Sequence, residues 1–159
     1  MNYEMKRKNI TYEYIRGLID GEGSFTFSTR KQKMADGTIK NNKIPTFCIS
    51  MHERDRDLLV KVRDKLGLKN NIYDISPYTK DGFNRERRAF LTVREFASLK
   101  NIIVPCFYNK LIGYKNDQFF SWLERIGTDP DVPKSYKLFY RLHKSGFYEK
   151  NVSKFDKVE

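Results

Sequence analysis

The stretch YIRGLIDGEGSF, Tyr14 to Phe25, changes from one chain periodicity to another within a few residues, and this constrains the fold more than any other part of the sequence. Before the glycines, Tyr14, Ile15, Leu18 and Ile19 recur at helical spacing, with Thr11 placed to cap the helix N-terminus. After them SFTFSTR alternates strictly, Phe25 and Phe27 on one side and Thr26, Ser28 and Arg30 on the other, the pattern of a half-buried strand. A helix that stops at the glycines must therefore feed a strand almost directly. Asp20 and Glu22 fall at the helix C-terminus, where the partial negative charge disfavours carboxylates, so something beyond the helix must favour them.

Later segments repeat the scheme. IPTFCISMH places Phe47, Ile49 and Met51 on one strand face and Thr46, Cys48, Ser50 and His52 on the other. The polar KQKMADGTIKNNK between the two strands, with the turn pair Asp36-Gly37, reads as a long hairpin loop or an extended strand tip. DRDLLVKVRDKL predicts a helix over 55–66 with Gly67 as its C-cap. NIYDISPY and RRAFLTV are short strand candidates around a turn at Asp81-Gly82. EFASLKNIIV returns to helical spacing and is expected to stop at Pro105, and YKNDQFFSWLERIG is a further helix with Phe119, Trp122, Leu123 and Ile126 on one face. The order predicts an α+β fold, a sheet with helices on one face, in one domain.

Thirty-one Lys and Arg against 20 Asp and Glu give a net charge of +11, which calls for a polyanionic partner, foremost nucleic acid. The basic residues are spread along the chain without a Lys/Arg-faced amphipathic helix, which argues against a membrane surface. Cys48 and Cys106 are far apart and His52 and His143 isolated, so neither disulfides nor a zinc site is expected; carboxylates remain as ligands for a hard cation such as Mg²⁺. No apolar segment reads as a signal peptide or a membrane span, and the expectation is an intracellular protein in a reducing compartment: cytoplasm, nucleoid or organelle matrix.

IRGLIDGEG, Ile15 to Gly23, resembles the LAGLIDADG motif of homing endonucleases, matching its Gly, Leu, Ile, Asp and final Gly positions, and the SF that follows agrees as well. The resemblance covers roughly residues 10–126 and implies an αββαββα domain with an antiparallel saddle-shaped sheet. With one motif per chain, it also implies a homodimer whose two motif helices pack through Tyr14, Gly17, Leu18 and Gly21. Sterically the glycines suit this, since Gly17 and Gly21 are one turn apart and leave room for a second helix. Arg16 stands where the motif has a small Ala, a bulkier flank for that interface.

By the same resemblance Glu22 stands at the principal ligand position for Mg²⁺ or another divalent ion such as Mn²⁺, with the Gly21 carbonyl beside it. Asp20 either contributes to the metal or holds helix-end geometry by hydrogen bonding. In GYKNDQF, Lys115 matches a basic active-site residue, with Gln118 three residues on; at the end of the second strand, where the family often has a polar residue, this chain offers Met51 followed by His52 and Glu53. The expected substrate is double-stranded DNA, cut on both strands at an intron or intein insertion site. An antiparallel sheet with one polar face can lie in the major groove. The contacts expected are Ser24, Thr26, Ser28, Arg30, Thr46, Cys48 and Ser50, the lysines Lys31, Lys33, Lys40 and Lys43, and arginines among Arg85, Arg87 and Arg88. The alternatives on the same scaffold are a maturase that binds intron RNA and a DNA-binding regulator without cleavage; intact acids and Lys115 favour the nuclease over the regulator.

Overall fold

The computed structural model of the chain describes residues 9–75, 80–82 and 86–157. Helix α1 (Tyr12–Glu22) begins at Thr11, whose hydroxyl accepts from the Tyr14 amide at 3.0 Å. It does not stop at its first glycines but runs through Gly17 and Gly21, and strand β1 (Gly23–Lys33) follows without a loop. Glycine is required at the junction, because a Cβ on residue 23 would lie 2.5 Å from Ile19 Cγ2.

Strand β2 (Ile39–His52) pairs antiparallel with β1 from Lys33 opposite Ile39 down to Gly23 opposite Ile49. The stretch after Arg30 is thus an extended arm with a short tip, closed by the Met34 amide on the Thr38 carbonyl and by Asp36, which accepts from both the amide and the hydroxyl of Thr38. A 3₁₀ turn leads into α2 (Arg56–Leu66), ended by Gly67 at φ 78°. Strands β3 (Tyr73–Ile75) and β4 (Arg88–Val93) complete an antiparallel sheet in the order β1-β2-β4-β3. The α+β class and the strand–helix order are those expected.

Pro105 does not end the next helical stretch. α3 (Phe96–Ser98) passes through a π-helical segment, Leu99–Ile103, into α4 (Val104–Phe107) with Pro105 in its first turn. Proline lacks an amide and crowds the carbonyl four residues back; the wider π turn, in which the Val104 amide bonds the Leu99 carbonyl, accommodates it. α5 (Tyr114–Thr128), α6 (Lys137–Lys144) and α7 (Phe147–Lys150) follow.

The apolar sheet face, including Phe47, Ile49, Leu91 and Val93, is fully buried against Ile15 and Ile19 of α1, Leu59 and Val62 of α2 and Phe119 and Trp122 of α5. At its centre Phe25 meets its cross-strand partner Phe47 at 5.6 Å, Phe119 at 5.0 Å and Trp122 at 5.4 Å. The Trp122 indole N–H donates to the Thr26 carbonyl at 2.8 Å, which fixes α5 against β1. Among the described residues no helix is long and apolar enough to cross a membrane. Both cysteines are free; Cys106 is wholly buried, and burial pushes its thiol up to about 12, so it acts as a packing residue.

Arg16 corrects the sequence expectation. Its side chain does not flank an outer helix face but turns inward, where Nε donates to the Cys106 carbonyl at 2.8 Å and the two terminal nitrogens reach Glu13 and Asp156. Asp156 lies in a C-terminal 3₁₀ turn capped by Ser153, and Phe155 of that turn packs edge-on against Tyr12 at 5.0 Å. The end of the chain is thereby fastened to α1. Burial opposes ionisation of Asp156, but Lys110, Ser153 and Arg16 outweigh it and hold the carboxyl below its usual 3.8. A lowered carboxylate stabilises the fold above its unfolded pKa and loses that contribution as pH falls through the folded one. Hence Arg16→Met should destabilise by about 2 kcal/mol in urea unfolding, less than for a wholly buried pair because Asp156 keeps some contact with water. The wild type should lose this fastening below about pH 4 while the variant shows a shallower acid dependence. Equal midpoints and equal acid slopes would remove the role assigned to the pair.

Candidate functional site

The two acids of α1 have different surroundings. Asp20 accepts from the backbone amides of Ile112 and Gly113, each at 3.0 Å, and Gly113 is the N-cap of α5. The carboxylate thus sits between the end of one helix and the start of another, and the free amides at the α5 N-terminus favour the charge that its own helix end does not. Of the two roles open for Asp20, the geometry displays hydrogen bonding at a helix end. Glu22 is exposed, and among the described residues its carboxylate has no hydrogen bond or ion pair. Lys115 and Gln118, one turn apart at the start of α5, are both half-buried, and the Asp20 contacts fix the helix start that carries them. Three acidic, His or Cys side chains do not gather into a metal-holding cluster among the described residues, so one chain offers Glu22 with neighbouring carbonyls rather than a complete cage.

Tyr14, Gly17, Leu18 and Gly21 share the outward face of α1, with Tyr14 half exposed and both glycines open. A Cβ on either glycine would meet nothing within 4 Å. Each glycine inside a helix costs about 1 kcal/mol relative to alanine, and no contact among the described residues explains it. Ile112 and Tyr114, beside the Asp20 contact, are exposed to 95% and 75%.

The strand register sorts the remaining candidates. Ser24, Thr26, Ser28 and Arg30 of β1 stand on the face opposite Phe25 and Phe27, and their partners Cys48 and Thr46 place the polar side of β2, with Ser50 and His52, on that same face; Lys40, opposite Gln32, extends it. Four residues depart from expectation. Thr46 is buried, its hydroxyl spent on Ser28 and the Ile44 carbonyl. Lys43 alternates to the other face, where its ammonium meets Asp129 at 2.9 Å. Lys31 and Lys33 also fall on the other side of the arm but remain exposed. Met51 turns toward the core, leaving His52, bonded to Glu86 and accepting from the Arg54 amide, as the polar group at the strand end. Arg88 lies on the polar face and is bonded to Ser50; Arg87 is paired with Glu53 at 3.5 Å; Arg85 lies outside the described residues.

A sequence model described as LAGLIDADG endonuclease matches residues 15–126. The chain belongs to this family. The same fold recurs in the meganuclease I-SmaMI bound to uncleaveable DNA, with a TM-score of 0.61 at 24% identity over 87% of this chain and 45% of that one. It recurs in the I-LtrWI LAGLIDADG homing endonuclease bound to target DNA, at 0.57 and 23% over 81% and 41%, and in the homing endonuclease I-TnaI, at 0.52 and 20% over 87% and 99%. The chain therefore spans about half the length of the first two and nearly all of the third.

Within this LAGLIDADG domain the sequence reading left out two groups on the polar side. β4 and β3 add Phe90, Thr92, Tyr73 and Ile75 to that face; the alternation in RRAFLTV carried the signal for β4, whereas three residues of β3 are too few to set a parity. Beyond the end of β4, Lys69, Asn70, Arg94 and Tyr136 join Arg30 around a cleft of about 710 Å³. Tyr136 reaches them because the extension folds back, its Asp131 carbonyl accepting from the Lys43 amide along the open edge of β2. A separate cavity of about 1030 Å³ lies between Tyr108, α6 and the C-terminal segment, and its lining contains no motif residue. Asp20→Asn should weaken two charge-assisted bonds, so amide exchange at Ile112 and Gly113 should rise about tenfold with the global unfolding transition little moved. Unchanged exchange would deny Asp20 its part in fixing α5.

Proposed function

We propose that the chain is a homodimeric, divalent-metal-dependent DNA endonuclease that cuts both strands of an insertion site, with the whole chain as its unit: a core over 10–126 and the basic extension over 127–159. The observation that carries this reading is the continuity of three surfaces: an open glycine face on α1, the unpaired Glu22 at its end, and a polar strand face that begins at the next residues. A second copy of α1 against Gly17 and Gly21 offsets the cost of two mid-helix glycines and brings the two Glu22 side chains to a common axis. Opposed carboxylates repel unless a cation lies between or beside them. Glu22 and the free carbonyl of Gly21 at the helix end form an oxygen donor set that fits a hard cation such as Mg²⁺ or Mn²⁺. Bound there, such an ion lowers the pKa of water and polarises a phosphate.

The other residues act around that centre. Asp20 fixes the start of α5, and through it Lys115 holds positive charge toward the phosphate while Gln118, one turn on, orients water. Arg30, Lys40 and the exposed arm lysines Lys31 and Lys33 neutralise phosphates; Ser24, Thr26, Ser28, Cys48 and Ser50 face the groove.

Glu22→Gln keeps shape but removes charge, so cleavage in Mg²⁺ should be lost while binding to the same duplex in Ca²⁺ is kept or strengthened; full cleavage by this variant would end the metal assignment. Gly17→Leu should give monomer or aggregate by light scattering, because a close-packed helix pair cannot admit the side chain, and a normal dimer would refute the interface. Binding should weaken steeply with salt, and removing Lys31 and Lys33 together should flatten the log–log slope by roughly two per protomer. Binding without cleavage in wild-type protein would point to the maturase or regulator instead.

A further inference from the structure

β3 is an edge strand of the sheet, and all three of its residues are exposed. Its apolar residues Tyr73 and Ile75 are exposed to 59% and 54% on the polar face of the sheet, while Asp74 faces the helices, where Arg56 of α2 donates to it at 3.3 Å and to the Ile72 carbonyl at 3.3 Å. The register leaves no freedom: Tyr73 is opposite Phe90, Phe90 is opposite Ser50, and Ile75 is opposite Arg88. Ile72, the residue before the strand, is buried in the core, and the pairing of β3 with β4 together with the Arg56 contacts keeps Tyr73 and Ile75 on the outer face. An apolar patch is thereby displayed on the same face as Ser50, Cys48 and Arg88.

We propose that Tyr73 and Ile75, with Phe90 opposite Tyr73 on the adjoining strand, read the C5-methyl group of a pyrimidine in the DNA major groove. This rests on the DNA reading above. In the major groove the C5-methyl is the apolar group that a base edge presents, and a surface meant for it must be apolar locally and cationic around. Arg88 on the adjoining strand, and Lys69 and Arg94 along the cleft that Tyr73 also lines, supply that charge. The patch of three side chains is too small to hold a protein partner, and its continuity with the polar face places it against the same ligand as Ser50.

The test uses the full-length protein in Ca²⁺ and a randomised duplex library to select bound sites. In the selected site each thymine is then replaced singly by deoxyuridine, which deletes only the methyl, and each cytosine by 5-methylcytosine. At one or two positions per half-site, uracil should weaken wild-type binding about fourfold, the effect of one buried methyl, and Tyr73→Ser with Ile75→Ser should bind both duplexes equally. Tyr73→Phe should keep the discrimination, since it keeps the apolar ring. Tightening by 5-methylcytosine rather than loss by uracil would identify the other methylated pyrimidine as the source, with the same assignment. A strongly selected site whose thymines all tolerate uracil and whose cytosines ignore methylation would overturn the proposal and leave the DNA reading standing. Discrimination that survives the double serine variant would also overturn it. Failure to retain any duplex would overturn both.

Discussion

The contact of Phe25 with Phe47 across β1 and β2 sets the geometry on which the other parts depend. With a side-chain period of two, burying this pair puts Ser24, Thr26, Ser28 and Cys48 on the opposite face, and a slip by one residue would reverse the sheet. The same two rings receive Phe107, Phe119 and Trp122, so the helices are oriented by the cluster that fixes the register. One packing event therefore decides which strand face is polar and where the N-terminus of α5 comes to lie.

Asp20 then joins the two elements that meet above the cluster. A carboxylate at the end of α1 is unfavourable in isolation and favourable once the amides before α5 are within 3.0 Å, so its cost is a cost only in the separated helix. Glu22 receives no comparable contact among the described residues. Two acids separated by one glycine thus have distinct physical situations, one satisfied inside the chain and one turned outward, and the proposed division between positioning and metal binding follows from that difference.

Helix α1 is divided in a similar way. Its inner side carries Ile15 and Ile19 into the core and Arg16 into a polar junction with the C-terminal turn, while its outer side is stripped of side chains at Gly17 and Gly21. Gly23 shows the contrast, because there the missing Cβ is explained by Ile19. The extension beyond the matched residues 15–126 is used to brace this helix from behind and to cover the open edge of β2.

The sequence by itself determined the helix-to-strand junction, the two alternating strands, the helix closed by Gly67 and the family, because periodicity and a short glycine-and-acid motif are local properties. It also marked Asp20, Glu22 and the polar residues of β1. Tertiary structure alone decided what those marks mean. Arg16 turns inward only because Asp156, 140 residues away in sequence, is there to receive it. Pro105 stays within a helix because a π turn opens before it. Thr46 and Lys43 are withdrawn from the polar face by Ser28 and by Asp129, and Tyr73 and Ile75 are added to it by the pairing of β3 with β4. In each case the deciding partner is distant along the chain or the segment is too short to show a period, and only the folded packing brings the two together.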